Sequence, residues 1–160
     1  MAASTTKKAI VRRYDKESLA GYLNPLTFLQ PTGVELLSAE GNVATVPYGD
    51  IKTIAFVRDF GGAVEPDRRI FNTRPKMEGL WVSLQFRDGD VMEGVMPNNL
   101  LQVEHYGFTV IPPDSFGNSR RYFVPRTSLL NVEVLGVVGS PLKKRKAKAA
   151  PKEQIGLFDE

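Results

Sequence analysis

Few residues in this chain have the types and spacing that chemistry needs. His105 is the single histidine and there is no cysteine, which excludes disulfides, thiol nucleophiles and thiolate metal sites and leaves one imidazole for any metal or triad chemistry. Carboxylates pair as Asp88 with Asp90 and Asp15 with Glu17. Both pairs stand in turn-like contexts, where aspartate is favoured by geometry alone and where too little burial is expected to split two carboxylate pKa values. No Gly-rich phosphate loop opens a helix, and Asp59-Phe60-Gly61 lies in a chain far too short for a kinase. The expectation is a protein with no catalytic residue, no metal and no cofactor. Arg12-Arg13, Arg68-Arg69 and Arg120-Arg121 each have an aromatic nearby (Tyr14, Phe71, Tyr122), which is the raw material of a surface for single-stranded nucleic acid: cations for phosphates and rings for bases. Near the carboxyl end, Gln154-Ile155-Gly156-Leu157-Phe158 puts one amide and three large apolar side chains in five residues. That composition suits the groove of another protein.

The elements that must position these residues follow from composition and pattern. At 160 residues, 42% hydrophobic and 24% charged, the chain is long enough for one domain or two small barrels. No apolar run approaches the ~20 residues of a membrane span, and the first fifteen residues lack the apolar core of a signal peptide. A cytoplasmic location is expected. The net charge of +3 is unevenly placed: residues 1–142 hold 15 Lys and Arg against 15 Asp and Glu, whereas 143–160 hold six basic residues against three acidic ones. A body of balanced charge argues against a broad phosphate-binding face. The basic run Lys143-Lys144-Arg145-Lys146-Ala147-Lys148 repels itself, predicts an extended disordered tail over 139–160, and offers weak contact with a polyanion.

The body is written twice. AIVRRYDKESLAGYL (9–23) and WVSLQFRDGDVMEGVM (81–96) both read as a strand, a polar turn and a second strand with a glycine in its middle, Gly21 or Gly94. Asp88-Gly89 predicts a two-residue hairpin turn, and the mid-strand glycines predict a sharp bend or a bulge. A third strand follows in each copy, at Gly33–Leu37 and Gly107–Ile111. The closing elements match best: Val46-Pro47-Tyr48-Gly49-Asp50-Ile51 aligns with Val124-Pro125-Arg126-Thr127-Ser128-Leu129, each followed by a strand of alternating apolar residues. This predicts five short strands per unit, with the units at 7–57 and 81–138, a connecting loop over 58–80 and a loop from Pro112 to Arg121. His105 is expected in a partly exposed turn, and Trp81 and Phe86 in the core.

Five strongly bent strands per unit, with hydrophobic-Pro-x-x-x-Ile/Leu before the last strand, resemble the Sm-like and SH3-like small barrels, and the pair looks like uncharacterised Sm-like modules of bacterial chains. The resemblance implies an all-β protein of two tandem five-stranded barrels packed as a pseudo-dimer. It also implies edges used for self-association or blocked by loops. Neither unit has an amphipathic helix ahead of its first strand. The turns that hold RNA in Sm-like proteins read PYGD and PRTS here, so RNA binding does not carry over residue by residue. The terminal QIGLF resembles the pentapeptide by which bacterial polymerases and repair proteins dock on the DNA sliding clamp. By position, Gln154 would hydrogen-bond at a pocket rim, Ile155 would stand in the usual leucine place, and Leu157 and Phe158 would fill the apolar pocket; Gly156 departs from the pattern. Three readings stay open at this point. They are a clamp-docking replication or repair accessory protein, an Sm-like RNA- or DNA-binding oligomer contacting its ligand through Arg120, Arg121, Lys143, Lys144, Arg145, Lys146 and Lys148, and a protein-interaction scaffold.

Overall fold

The computed structural model describes residues 6–15, 17–62, 69–113 and 118–139. Eleven strands are found among them: β1 (Lys7–Arg13), β2 (Leu19–Leu23), β3 (Leu29–Gln30), β4 (Gly33–Leu37), β5 (Val43–Val46), β6 (Ile51–Val57), β7 (Gly79–Phe86), β8 (Val91–Met96), β9 (Gly107–Val110), β10 (Ser119–Pro125) and β11 (Leu129–Val138). The only helical elements described are 3-10 turns at Tyr48–Asp50, Leu100–Gln102 and Arg126–Ser128. The fold is all-β, as expected. The short additional strand β3, a hairpin partner of β4, had no counterpart in the sequence pattern.

The duplication survives in three dimensions. In the first unit β6 pairs with β1, β1 with β2, β2 with β4 and β4 with β5. In the second, β11 pairs with β7, β7 with β8, β8 touches the β9 strand through a Val95–Ile111 bridge, and β9 pairs with β10. The irregularities are shared as well. Arg12 faces Thr53 but Arg13 faces Ile51, which leaves Lys52 unmatched; Gln85 faces Asn131 but Phe86 faces Leu129, which leaves Leu130 unmatched. The same bulge thus bends the last strand of both units.

Two glycines explain how closely the third and fourth strands of each unit approach. A Cβ built on Gly33 would stand 2.3 Å from the Val46 carbonyl oxygen, and one built on Gly107 would stand 2.3 Å from that of Val124. Only glycine lets the third strand pass that close to the strand ending in proline. Mid-strand Gly21 and Gly94 serve a related purpose and carry no bulge. Their missing Cβ atoms make room for Leu36 and Leu37 in one unit and for Val110 and Ile111 in the other.

The two units join edge to edge, because β10 pairs with β6 (Phe123 opposite Ile54, Tyr122 opposite Ala55). β6 therefore lies in the middle of a continuous ribbon and every one of its residues is buried. Alternation sends its side chains to two cores. Ile54 and Phe56 join Ala9, Val11, Leu23, Phe28 and the second unit's Phe123. Ala55 and Val57 join Ile10 and the second unit's Val82, Leu84, Phe86 and Tyr122. Each core borrows residues from the other unit, which fuses the pair into one body.

Three boundaries differ from expectation. β7 begins at Gly79, inside the stretch read as connector, and β10 begins at Ser119, inside the stretch read as loop. The β7–β8 turn is a three-residue loop: Phe86 N–H donates to Asp90 O (2.8 Å) and Gly89 N–H to Phe86 O (3.0 Å). A two-residue turn of the mirror-image type needs positive φ at both central positions, whereas only Gly89 (φ 97°) has it.

Candidate functional site

Four cations meet where the two units join. Lys7 and Lys8 open β1, Arg120 and Arg121 open β10, and with Phe56 and Val57 of β6 between them they line a cleft of about 290 Å³. The local cause is a second bulge. Ser119 faces Val57 while Arg121 faces Phe56, so Arg120 is the extra residue. Consecutive strand residues ordinarily point to opposite faces; the bulge re-aims them, and both arginines line the same cleft. Arg121 lies over the Phe56 ring at 5.2 Å, and Lys8 lies over Phe60 at 5.7 Å with its Nζ donating to the Arg58 carbonyl at 3.4 Å. Among the described residues no carboxylate lines the cleft.

The other arginine steps do not join this group. Arg13 donates through Nε and a terminal nitrogen to the Glu17 carbonyl at 3.1 and 2.9 Å. Arg69 stands 3.7 Å from Asp90, and Arg68 lies outside the described residues. Nor do the neighbouring aromatics form a base-stacking platform. Tyr122 is buried in the core, Tyr14 is covered by the Arg87 guanidinium at 4.1 Å, and Phe71 packs edge-on against Trp81.

Asp88 and Asp90 have a role that turn propensity concealed. The Lys52 ammonium, carried on the bulge of β6 and nearly buried, donates to Asp88 at 2.8 Å and also to Asp90. Lys52 belongs to the first unit and the carboxylates to the second, so the pair pins the seam. The hydrogen bond from Lys52 holds the Asp88 carboxyl below its ordinary pKa. Ser128 extends the seam: its hydroxyl donates to Lys52 O (2.9 Å) and shares a 2.6 Å bond with the Tyr14 hydroxyl. Arg87 reaches Gly49 O at 2.7 Å, and Tyr48 stacks on Tyr106 with centroids 4.9 Å apart. Burial, then the neighbouring Tyr106, pushes the Tyr48 phenol up to about 12. These carboxylates are structural.

His105 is exposed, as expected, and rests edge-on against Tyr106 at the rim of an apolar groove of about 500 Å³ lined by Met96, Phe108 and Val132 among others. Among the described residues no group of three or more His, Cys, Asp or Glu is arranged to hold a metal. Phe86 is in the core, whereas Trp81 is half-buried and donates its indole N–H to Glu93 at 3.0 Å.

Of the five strands common to both units, β5, the fourth of the first unit, and β11, the fifth of the second, each keep an unpaired edge among the described residues, and the short extra strand β3 ends the sheet beyond β4. Val43 on β5 and Leu130 and Val134 on β11 are exposed at 60%, 66% and 56%, while near the end of β11 the Arg74 guanidinium covers the Val137 carbonyl. These edges are not copies of the joined ones. Thr45, Glu133 and Ser83 occupy the places that Phe123, Ala55 and Ile10 hold at the junction.

Gln154, Ile155, Leu157 and Phe158, with Lys143, Lys144, Arg145, Lys146 and Lys148, lie outside the described residues. Of the candidate residues read from the sequence, the structure brings only Arg120 and Arg121 into a common site. It adds Lys7 and Lys8, whose only sequence signal was a second dibasic step at the start of a strand. No described helix is long and apolar enough to cross a membrane. Residues 5–136 match the model of a family whose description is a family of unknown function. No curated protein and no solved structure matches the chain.

Proposed function

Starting from a chain that belongs to DUF6982, a family of unknown function, we propose a non-enzymatic, cytoplasmic accessory protein of bacterial DNA replication or repair that docks on the sliding clamp. The observation that carries this reading is the peptide Gln154-Ile155-Gly156-Leu157-Phe158 behind the basic run 143–148. The body offers a rigid platform for the tail, its two units pinned together by the Lys52–Asp88 bond and the Ser128 hydroxyl at their seam. We read the two units as Sm-like barrels, a reading supported by their common strand order and by the 3-10 turn between the fourth and fifth strands of each. Fifteen residues, 139–153, separate the last strand from Gln154. Fully extended they span at most ~50 Å, a reach that lets the peptide enter a clamp pocket while the barrels stand clear. Leu157 and Phe158 supply the apolar anchor and Gln154 the directional bond. The lysines raise the encounter rate near DNA.

The test is a titration of a fluorescent 143–160 peptide with a bacterial sliding clamp, with unlabelled full-length protein as competitor. Binding in the micromolar range is expected, as for a short anchor that must be ordered on docking. Gln154→Ala or Phe158→Ala should each weaken it by roughly tenfold, about 1.4 kcal/mol. An absence of binding, or affinities untouched by both substitutions, would sink the proposal.

A further inference from the structure

We propose that the cleft at the junction of the two units is a second, independent binding site, and that it grips the phosphate backbone of a single nucleic-acid strand without reading its bases. Lys7, Lys8, Arg120 and Arg121 line it together and, among the described residues, no acidic side chain does, in a body whose total charge through residue 142 is zero. Random scatter of balanced charges places acids beside cations. The seam shows this chain doing so, with Lys52 held by Asp88 and Asp90. In the cleft the balance is withheld, and a β-bulge is spent turning a second arginine toward the same space.

The chemistry of the floor decides the class of ligand. Phe56 is buried and capped by Arg121, and Tyr122, the ring next in sequence, is in the core. Among the described residues that line the cleft, no open ring is offered to a base. Guanidinium groups present forks of N–H donors that match phosphate oxygens, and ammonium groups add charge at any angle. Recognition is therefore of phosphates, and the floor distinguishes this cleft from the stacking platforms of sequence-tolerant single-strand binders. The site requires both units, because β1 supplies the lysines and β10 the arginines.

The experiment uses the full-length protein with Lys143, Lys144, Arg145, Lys146 and Lys148 replaced by glutamine, so that the tail does not mask the body. No clamp is present, which keeps this result separate from the docking reading. Fluorescence anisotropy with a labelled mixed-sequence single strand, at several salt concentrations, should give a dissociation constant of roughly 1–100 µM at low salt. The slope of log K against log salt should be no steeper than about −2.8, the limit for four phosphate contacts on a single strand. Strands of different sequence should bind alike. Arg120→Gln with Arg121→Gln, and separately Lys7→Gln with Lys8→Gln, should each weaken binding and flatten the slope by up to about 1.4. Arg120→Lys with Arg121→Lys should keep most of the affinity, and unchanged melting curves confirm that the variants fold. Failure of the tail-substituted protein to bind, binding indifferent to both glutamine pairs, or equal competition by inorganic phosphate at matched ionic strength would each overturn the assignment.

Discussion

Lys52 allows a sharp test of how the two units hold together, because the two sides of its ion pair are not equally buried. Its side chain is 10% exposed, whereas those of Asp88 and Asp90 are 37% and 45% exposed. Lys52→Met keeps an unbranched apolar stem but removes the ammonium, and with it the contact of Nζ over the Phe86 ring. The carboxylates it abandons are already in touch with water, so the discount that solvent imposes on exposed pairs applies to them, and the cost should be about 0–1 kcal/mol. Replacing both aspartates with asparagine is different. The turn survives, since an amide oxygen at position 88 can still accept from the N–H of residue 90, but an ammonium is left in a nearly closed site without the carboxylates that balance its charge. Stranding a buried charge in this way costs roughly 3 kcal/mol. With m near 2 kcal/mol/M, the gap of about 2 kcal/mol is roughly 1 M in the urea midpoint. Urea unfolding followed by Trp81 fluorescence, at one fixed protein concentration, measures it. The triple variant Lys52→Met, Asp88→Asn, Asp90→Asn should return close to Lys52→Met alone, because removing both partners removes the stranded charge. Equal costs for the two sides, or a triple variant no better than the double, would refute the reasoning.

Two further outcomes follow from other parts of the structure. Gly107→Ala should destabilise by more than about 2 kcal/mol in thermal melts, since its Cβ would meet the Val124 carbonyl oxygen at 2.3 Å; Gly49→Ala, with nothing within 4 Å and no positive φ, should fall within about 1 kcal/mol of the parent. The phenol of Tyr48 is raised from its ordinary value of 10.0 to about 12, so the folded state holds a proton that the unfolded chain gives up. Its stabilisation is complete below pH 10 and is lost as pH rises toward 12. Tyr48→Phe should flatten that part of the stability profile, measured by urea unfolding across this range.

The repeat was legible because its signals are local. A proline four residues ahead of a strand and a glycine opening the third strand stand in both copies, and each does the same thing in three dimensions: Pro47 and Pro125 precede 3-10 turns with nearly identical backbone angles. The site was less legible. Arg120 and Arg121 could be picked out as cations, but nothing local to them announces a bulge, and a strand without one would have sent them to opposite faces. Lys7 and Lys8 meet them only because β6 lies between β1 and β10, a fact of pairing between distant segments. The seam was hidden for the same reason. Asp88 and Asp90 satisfy the demands of a turn by themselves, and their partner stands far away in sequence, on a strand whose pattern reads as core. Tyr122 shows the reverse error: proximity in sequence to an arginine pair suggested a stacking surface, and alternation along β10 turned the ring inward.

The junction between β6 and β10 changes what dilution can do to this protein. Two separate barrels meeting along the same edge would part as their concentration fell, and a cleft built half from each would vanish with them. Joined by residues 58–78, the two edges face each other at an effective concentration on the millimolar scale typical of short linkers, whatever the number of molecules in the cell. The matched edge therefore needs only modest intrinsic affinity to stay joined. Thr45, Ser83 and Glu133 stand where Phe123, Ile10 and Ala55 seal the inner joint. A tandem gene product of this kind can stay half-sized in assembly terms, with one composite cleft per chain and a stoichiometry fixed at translation.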